Sequence, residues 1–83
     1  MRLLYFAWLR ARIGHGEEEF SLPPGVRDVA GLLAFLQSRG GHYAEALADL
    51  SVVKVAVNQD YVGHDHGLRD GDEVALFPPV TGG

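Results

Sequence analysis

The sequence predicts an α+β fold, a mixed sheet of about five strands with a helix packed on one face. Three observations predict it. Apolar, strand-like runs stand near both ends of the chain. Between them lies a stripe, Val29, Leu32, Leu33 and Leu36, with the i, i+3, i+4, i+7 spacing of one helical face. The chain has 83 residues, 47% hydrophobic and 22% charged, which suits one small core and not two.

Arg2-Leu3-Leu4-Tyr5-Phe6-Ala7-Trp8 is apolar on both alternating faces, which predicts a first strand near the middle of the sheet. Arg10 to Gly14 has room for one helical turn before Gly14-His15-Gly16 breaks it. Glu19-Phe20-Ser21-Leu22 alternates polar and apolar until Pro23-Pro24-Gly25, as a half-buried edge strand does, and returns beside the first. Asp28 precedes the helical stripe, where its carboxylate can cap the exposed amides, and Gly40-Gly41 ends that helix. Tyr43, Ala46, Leu47 and Leu50 repeat the spacing and predict another turn or two of helix. Val52 to Val57 is a β-branched run with one Lys; the turn Asn58-Gln59-Asp60 leads it into Tyr61-Val62, a hairpin of third and fourth strands. Leu68 to Asp72 turns the chain again into a last strand, Val74 to Phe77, closed by Pro78-Pro79. The helix between a leading hairpin and later strands must cross one sheet face, and the apolar first and last strands can then lie side by side in parallel. This is the β-grasp, or ubiquitin-like, roll: residues 1–77 form the domain and 78–83 a flexible C-terminal tail ending in Gly-Gly.

Composition excludes several functions. Seven Lys and Arg against eleven Asp and Glu give a net charge of −4, the wrong sign for gripping nucleic acid or an anionic membrane. With no cysteine there is no disulfide, thiolate metal site or cysteine nucleophile. Leu3 to Leu9 is half the length of a membrane helix and no cleavage site follows a charged segment, so a cytoplasmic location is expected. His64-Asp65-His66 offers two imidazoles, half a metal site, and between Gly63 and Gly67 it reads as an exposed loop; no metal is expected. Asp70-Gly71-Asp72-Glu73 lacks the alternating ligands of a calcium loop, and Gly14-His15-Gly16 lacks the remainder of a phosphate-binding motif, so no bound cofactor is expected. Glu17-Glu18-Glu19 reads as protection of a sheet edge rather than a recognition patch. Ser21, Ser38 and Ser51 have no His and Asp constellation near them in sequence, and Arg10, Arg12, Arg27, Lys54 and Arg69 are scattered as solvated charges. A self-contained enzyme is not expected in a chain this small.

The tail is different. Phe77-Pro78-Pro79-Val80-Thr81-Gly82-Gly83 leaves the last strand through two prolines that forbid further pairing. Fully extended, Pro78 to Gly83 reaches roughly 20 Å at about 3.3–3.6 Å per residue, enough to enter another protein's pocket. Glycine without a Cβ can pass a narrow channel and leaves the Gly83 carboxylate open to adenylation and then to capture of sulfur as a thiocarboxylate. By itself a terminal Gly-Gly is also what a frayed end looks like.

The order of elements ending in Gly-Gly resembles the ubiquitin-like sulfur carriers. Val57-Asn58-Gln59, then Leu68, Asp70-Gly71-Asp72-Glu73-Val74-Ala75 and Phe77-Pro78-Pro79-Val80-Thr81-Gly82-Gly83, are similar to the small subunits of molybdopterin synthase. Phe6-Ala7, Leu9-Arg10 and Ile13-Gly14 fit the same family, whereas residues 15–50 share only its pattern. The thiamin sulfur carriers are typically shorter and share mainly the Gly-Gly. The resemblance implies a non-catalytic sulfur-donating subunit. An ATP-dependent adenylating enzyme activates Gly83, with Gly82 before it, a sulfurtransferase system leaves a thiocarboxylate, and the tail enters the large subunit of a heterotetramer. There two sulfurs in all pass to cyclic pyranopterin monophosphate, giving molybdopterin for the molybdenum cofactor. Pro78, Pro79, Val80 and Thr81 would line that insertion, with Tyr61 and Phe77 as anchors beside the tail and Arg10 on the rim; plain core packing accounts equally well for Phe77. The alternatives are a sulfur carrier for thiamin or tRNA thiolation, and a ubiquitin-like binding or tagging module.

Overall fold

The computed structural model describes residues 1–79; Val80, Thr81, Gly82 and Gly83, four of the expected site residues, lie outside the described residues. Strands β1 (Arg2–Tyr5), β2 (Glu17–Glu19), β3 (Lys54–Val57), β4 (Asp60–Val62) and β5 (Glu73–Phe77) form one sheet in the order β2-β1-β5-β3-β4. β1 and β5 run parallel at its centre, in the register Arg2 to Glu73 through Tyr5 to Leu76, and every other pair is antiparallel. The helices α1 (Ala7–Ile13), α2 (Val29–Ser38) and α3 (Gly41–Ala46) and a 3-10 turn at Leu50–Val52 complete the roll. No described helix is long and apolar enough to cross a membrane.

The expected first strand is too long by three residues. It stops at Tyr5; Phe6 caps α1 with an extended backbone, and Ala7 turns into the helix with a left-handed φ of 55°. Its apolar run serves two periods in succession, Leu3 and Tyr5 alternating on a strand, then Leu9 and Ile13 one turn apart on a helix, and all four are buried. The single turn expected over Arg10 to Gly14 is the end of this longer helix, closed by Gly14 at a φ of 100°. The second strand also shifts: Glu17, Glu18 and Glu19 pair with Leu4, Leu3 and Arg2, while Phe20 and Leu22, expected within it, pack against the core beyond its end.

The central helix forms as its pattern dictates. Val29, Leu32, Leu33 and Leu36 are each 0% exposed, and the Asp28 carboxylate accepts the Gly31 amide at 2.8 Å. The His64-Asp65-His66 segment completes the cap, because the Val29 and Ala30 amides donate to the carbonyls of His66 and His64 at 3.0 and 2.8 Å. The His64 ring lies 2.9 Å from the Val53 carbonyl, and among the described residues no three His, Asp or Glu side chains gather as a metal site.

The acidic run is not uniformly solvated, as edge protection alone requires. Glu17 pairs outward with Arg2 at 2.6 Å, but Glu18 points inward. Its carboxylate accepts the hydroxyls of Tyr5 at 2.7 Å and Tyr43 at 2.5 Å and the Arg39 guanidinium at 2.7 Å, and lies 3.1 Å from the His15 ring. The Arg39 guanidinium in turn stands 4.9 to 5.5 Å from the rings of Tyr43, Phe20 and Phe35. Partial burial opposes ionisation of Glu18, but hydrogen bonds from Tyr43, Arg39, His15 and Tyr5 outweigh it and bring the carboxyl to about 2. Burial first, then the hydrogen bond to Glu18 and the Glu18 charge, push the Tyr5 phenol up. The cluster thus fastens β2 to the end of α2 and to α3.

We predict that Glu18→Gln costs about 1–2 kcal/mol and lowers Tm by roughly 5–10 °C near neutral pH. Because the folded-state value lies below the ordinary 4.5, the advantage of Glu18 is complete above pH 4.5 and drains away as pH falls toward 2. Chemical denaturation across that range should show the two proteins' stabilities converging in acid; a gap undiminished at pH 2 would contradict the assignment.

Candidate functional site

Strand alternation divides the sheet into two faces. Leu3 and Tyr5 on β1, Val55 and Val57 on β3, and Val74 and Leu76 on β5 are buried beneath the helices. The opposite face carries Leu4, Ala75, Ala56 and Tyr61, which the strand registers place in one row across β1, β5, β3 and β4. Phe77 and Lys54 form the next row, at the end of the sheet where β5 leaves.

Tyr61 is held outward by its hairpin. Asn58 and Gln59 adopt left-handed backbones, with φ of 50° and 73°, as a two-residue hairpin turn requires. The Asn58 side chain secures the turn, donating to Asp72 and accepting the Glu73 amide, both at 3.0 Å. Asp60 therefore opens β4 rather than closing the turn, and the register Ala56 to Tyr61 places Val62 against the core and Tyr61 in solvent, 82% exposed.

The Tyr61 ring rests on Phe77, centroids 5.5 Å apart and planes at 46°. Phe77 is half-buried on the outer face and stands outside the core cluster. With Lys54, Val55, Val62 and Pro79 these rings line an open, mainly apolar groove of about 290 Å³. Pro79 forms part of its wall, so the chain leaves the sheet along the groove.

Arg10 is not in that groove. It lies on the exposed side of α1, across the tail root, in a hollow shared with Leu4, Phe6, His15, Gly16 and Glu17. Phe6, read from sequence as a strand residue, belongs here: it is 48% exposed, and its amide donates to the Leu76 carbonyl at 3.1 Å, which fixes it beside the end of β5. The helix spacing of Leu9 and Ile13 was the signal that the strand had already ended and left Phe6 at a joint. Lys54, read from sequence as a solvated charge, is exposed and also lines the groove. The tail root thus stands between aromatic side chains on both flanks. The side-chain polar groups of the groove are the Lys54 ammonium and the Tyr61 phenol.

Comparison with known proteins agrees with the fold. Residues 3–83 match the ThiS family. The chain is 40% identical over 83 residues to the molybdopterin synthase sulfur carrier subunit of Escherichia coli, covering 100% of this chain and 99% of that protein. Among solved structures it resembles the putative molybdopterin converting factor subunit 1 of Pyrococcus furiosus, with a TM-score of 0.76 and 37% identity over 95% of each chain. A further match, with a TM-score of 0.60 and 28% identity over 99% of this chain and 96% of the other, is to a protein–protein complex of subunits 1 and 2 of the molybdopterin-converting factor from Helicobacter pylori. The ubiquitin-like roll and a likeness running from one end of the sequence to the other lead to one conclusion: the chain belongs to the ThiS family.

Proposed function

We propose that this chain is the sulfur carrier subunit of a molybdopterin synthase. The observation that carries the reading is the placement of an exposed aromatic groove at the root of a segment whose sequence ends Gly82-Gly83. A groove beside the root binds the partner, and the tail delivers its terminal group into the partner's pocket. An ATP-dependent adenylating enzyme joins the Gly83 carboxylate to AMP and releases pyrophosphate, and a sulfurtransferase system replaces AMP with sulfur. The thiocarboxylate then gives up its sulfur to cyclic pyranopterin monophosphate in the large subunit, which supplies the substrate pocket and the acid–base groups. Pro78 and Pro79 stiffen the exit, while Val80 and Thr81 with the two glycines make the part narrow enough to enter. ATP is used by the adenylating partner, and this chain binds no cofactor of its own.

The first test is the intact mass of the protein purified from its own cells. A form heavier by one oxygen-to-sulfur exchange, localised to Gly83 and lost on mild hydrolysis, is expected. A plain carboxylate throughout, even after incubation with a matched adenylating enzyme, ATP and a sulfur source, would return the chain to the class of ubiquitin-like binding modules. Deleting Gly83 should leave the melting temperature and the affinity for the large subunit nearly unchanged and abolish sulfur transfer; loss of the fold would count against the division of labour. Tyr61→Ala removes a ring that is 82% exposed, so stability should change by less than about 1 kcal/mol while the large subunit binds at least about 10-fold more weakly. Equal affinity in a calorimetric titration would remove Tyr61 from the interface.

A further inference from the structure

The outer face of the sheet has two electrical ends. At the end where β5 leaves, Lys54 stands exposed in register with Phe77, on the wall of the groove. Among the described residues it has no ion-pair partner. At the opposite end, Arg2 is in register with both Glu19 and Glu73, and its guanidinium is held by Glu17 at 2.6 Å. Three carboxylates there face one guanidinium. Leu4, Ala75 and Ala56, all uncharged, separate the two ends.

The separation makes the ends independent. The Phe77 row and the Glu73 row are four residue steps apart along β5, about 13 Å at the rise of a strand. That exceeds the screening length of about 8 Å at physiological ionic strength, so each end acts on what lies opposite it. Tyr61 and Phe77 supply apolar area, but two rings over a shallow groove do not define a direction. Charges of opposite sign at the two ends do.

We propose that Lys54 is a specificity-determining residue of this docking face. It pairs with a carboxylate that the large subunit of the synthase presents beside the opening that receives the tail, while the acidic end meets a cation of the same partner. The pairing rests on the function proposed above and adds to it the chemistry of the partner's surface. A partner placed end for end meets Lys54 with its cation and the carboxylates with its own acid, so only one orientation brings the tail to the opening. The exposed ammonium of a chain with net charge −4 is thereby given a use that solvation alone does not require.

The test is a calorimetric titration of the full chain with the large subunit of the synthase from the same cells, at low and at high salt. Lys54→Met should weaken binding severalfold and flatten its salt dependence, and Lys54→Glu should weaken it by about 10- to 100-fold. Glu19→Gln, at the far end, should weaken it modestly, and its fold-loss should multiply with that of Lys54→Met, as for independent sites. Both positions are exposed, and unchanged melting temperatures will exclude misfolding as the cause. Wild-type binding with undiminished affinity of Lys54→Glu overturns the role of Lys54 and leaves the carrier reading standing. Absence of any wild-type binding overturns both.

Discussion

The parallel ladder between β1 and β5 is the constraint on which the rest depends. Two parallel neighbours cannot be joined by a tight turn, so everything between Tyr5 and Glu73 is a return path, and its helices must cover the face it crosses. The same direction brings the ends of β1 and β5 to one edge of the molecule, where the Phe6 amide bonds the Leu76 carbonyl. Phe6 comes from one strand's end and Phe77 from the other's, while Tyr61 reaches the spot because β3 pairs antiparallel to β5 and carries β4 beside it. An antiparallel central pair would have sent β5 out at the opposite end, away from Phe6 at the end of β1.

A sheet of three- to five-residue strands has little pairing energy to spare, and its outermost members need fastening from elsewhere. At β4 the fastening is the hairpin turn and the inward Val62. At β2 it is Glu18, whose carboxylate gathers Tyr5, Tyr43, Arg39 and His15 and keeps the edge strand against the helices. This distribution frees the outer face. Since one side of each strand supplies the core and the clamp, Tyr61, Phe77 and Lys54 on the other side lie outside both.

Much of this was legible in the sequence because it was local. The spacing of Val29 to Leu36, the Asp28 cap and the Asn58 turn each declare themselves within a few residues. What failed was what depends on partners far along the chain. Glu18 reads as one acid among three until Arg39 and Tyr43, 21 and 25 positions on, turn it inward. The end of β1 was misplaced because an unbroken apolar run satisfies a strand and a helix alike, so Phe6 passed for interior. Of the expected site residues, Tyr61 and Phe77 stand together and Arg10 lies across the root from them; Lys54 was read as ordinary surface, since nothing local shows which strand neighbour it will face.

The central position of β5 also has a mechanical consequence. A pull applied at Pro79 along the strand loads two ladders at once, those to β1 and β3, and loads them in shear. Their hydrogen bonds must then yield together rather than open one after another from a free edge. A tail attached to an outer strand would peel its own domain apart under the same tug. Here a pull at Pro79 meets both ladders together, and the body of the protein holds as an anchor.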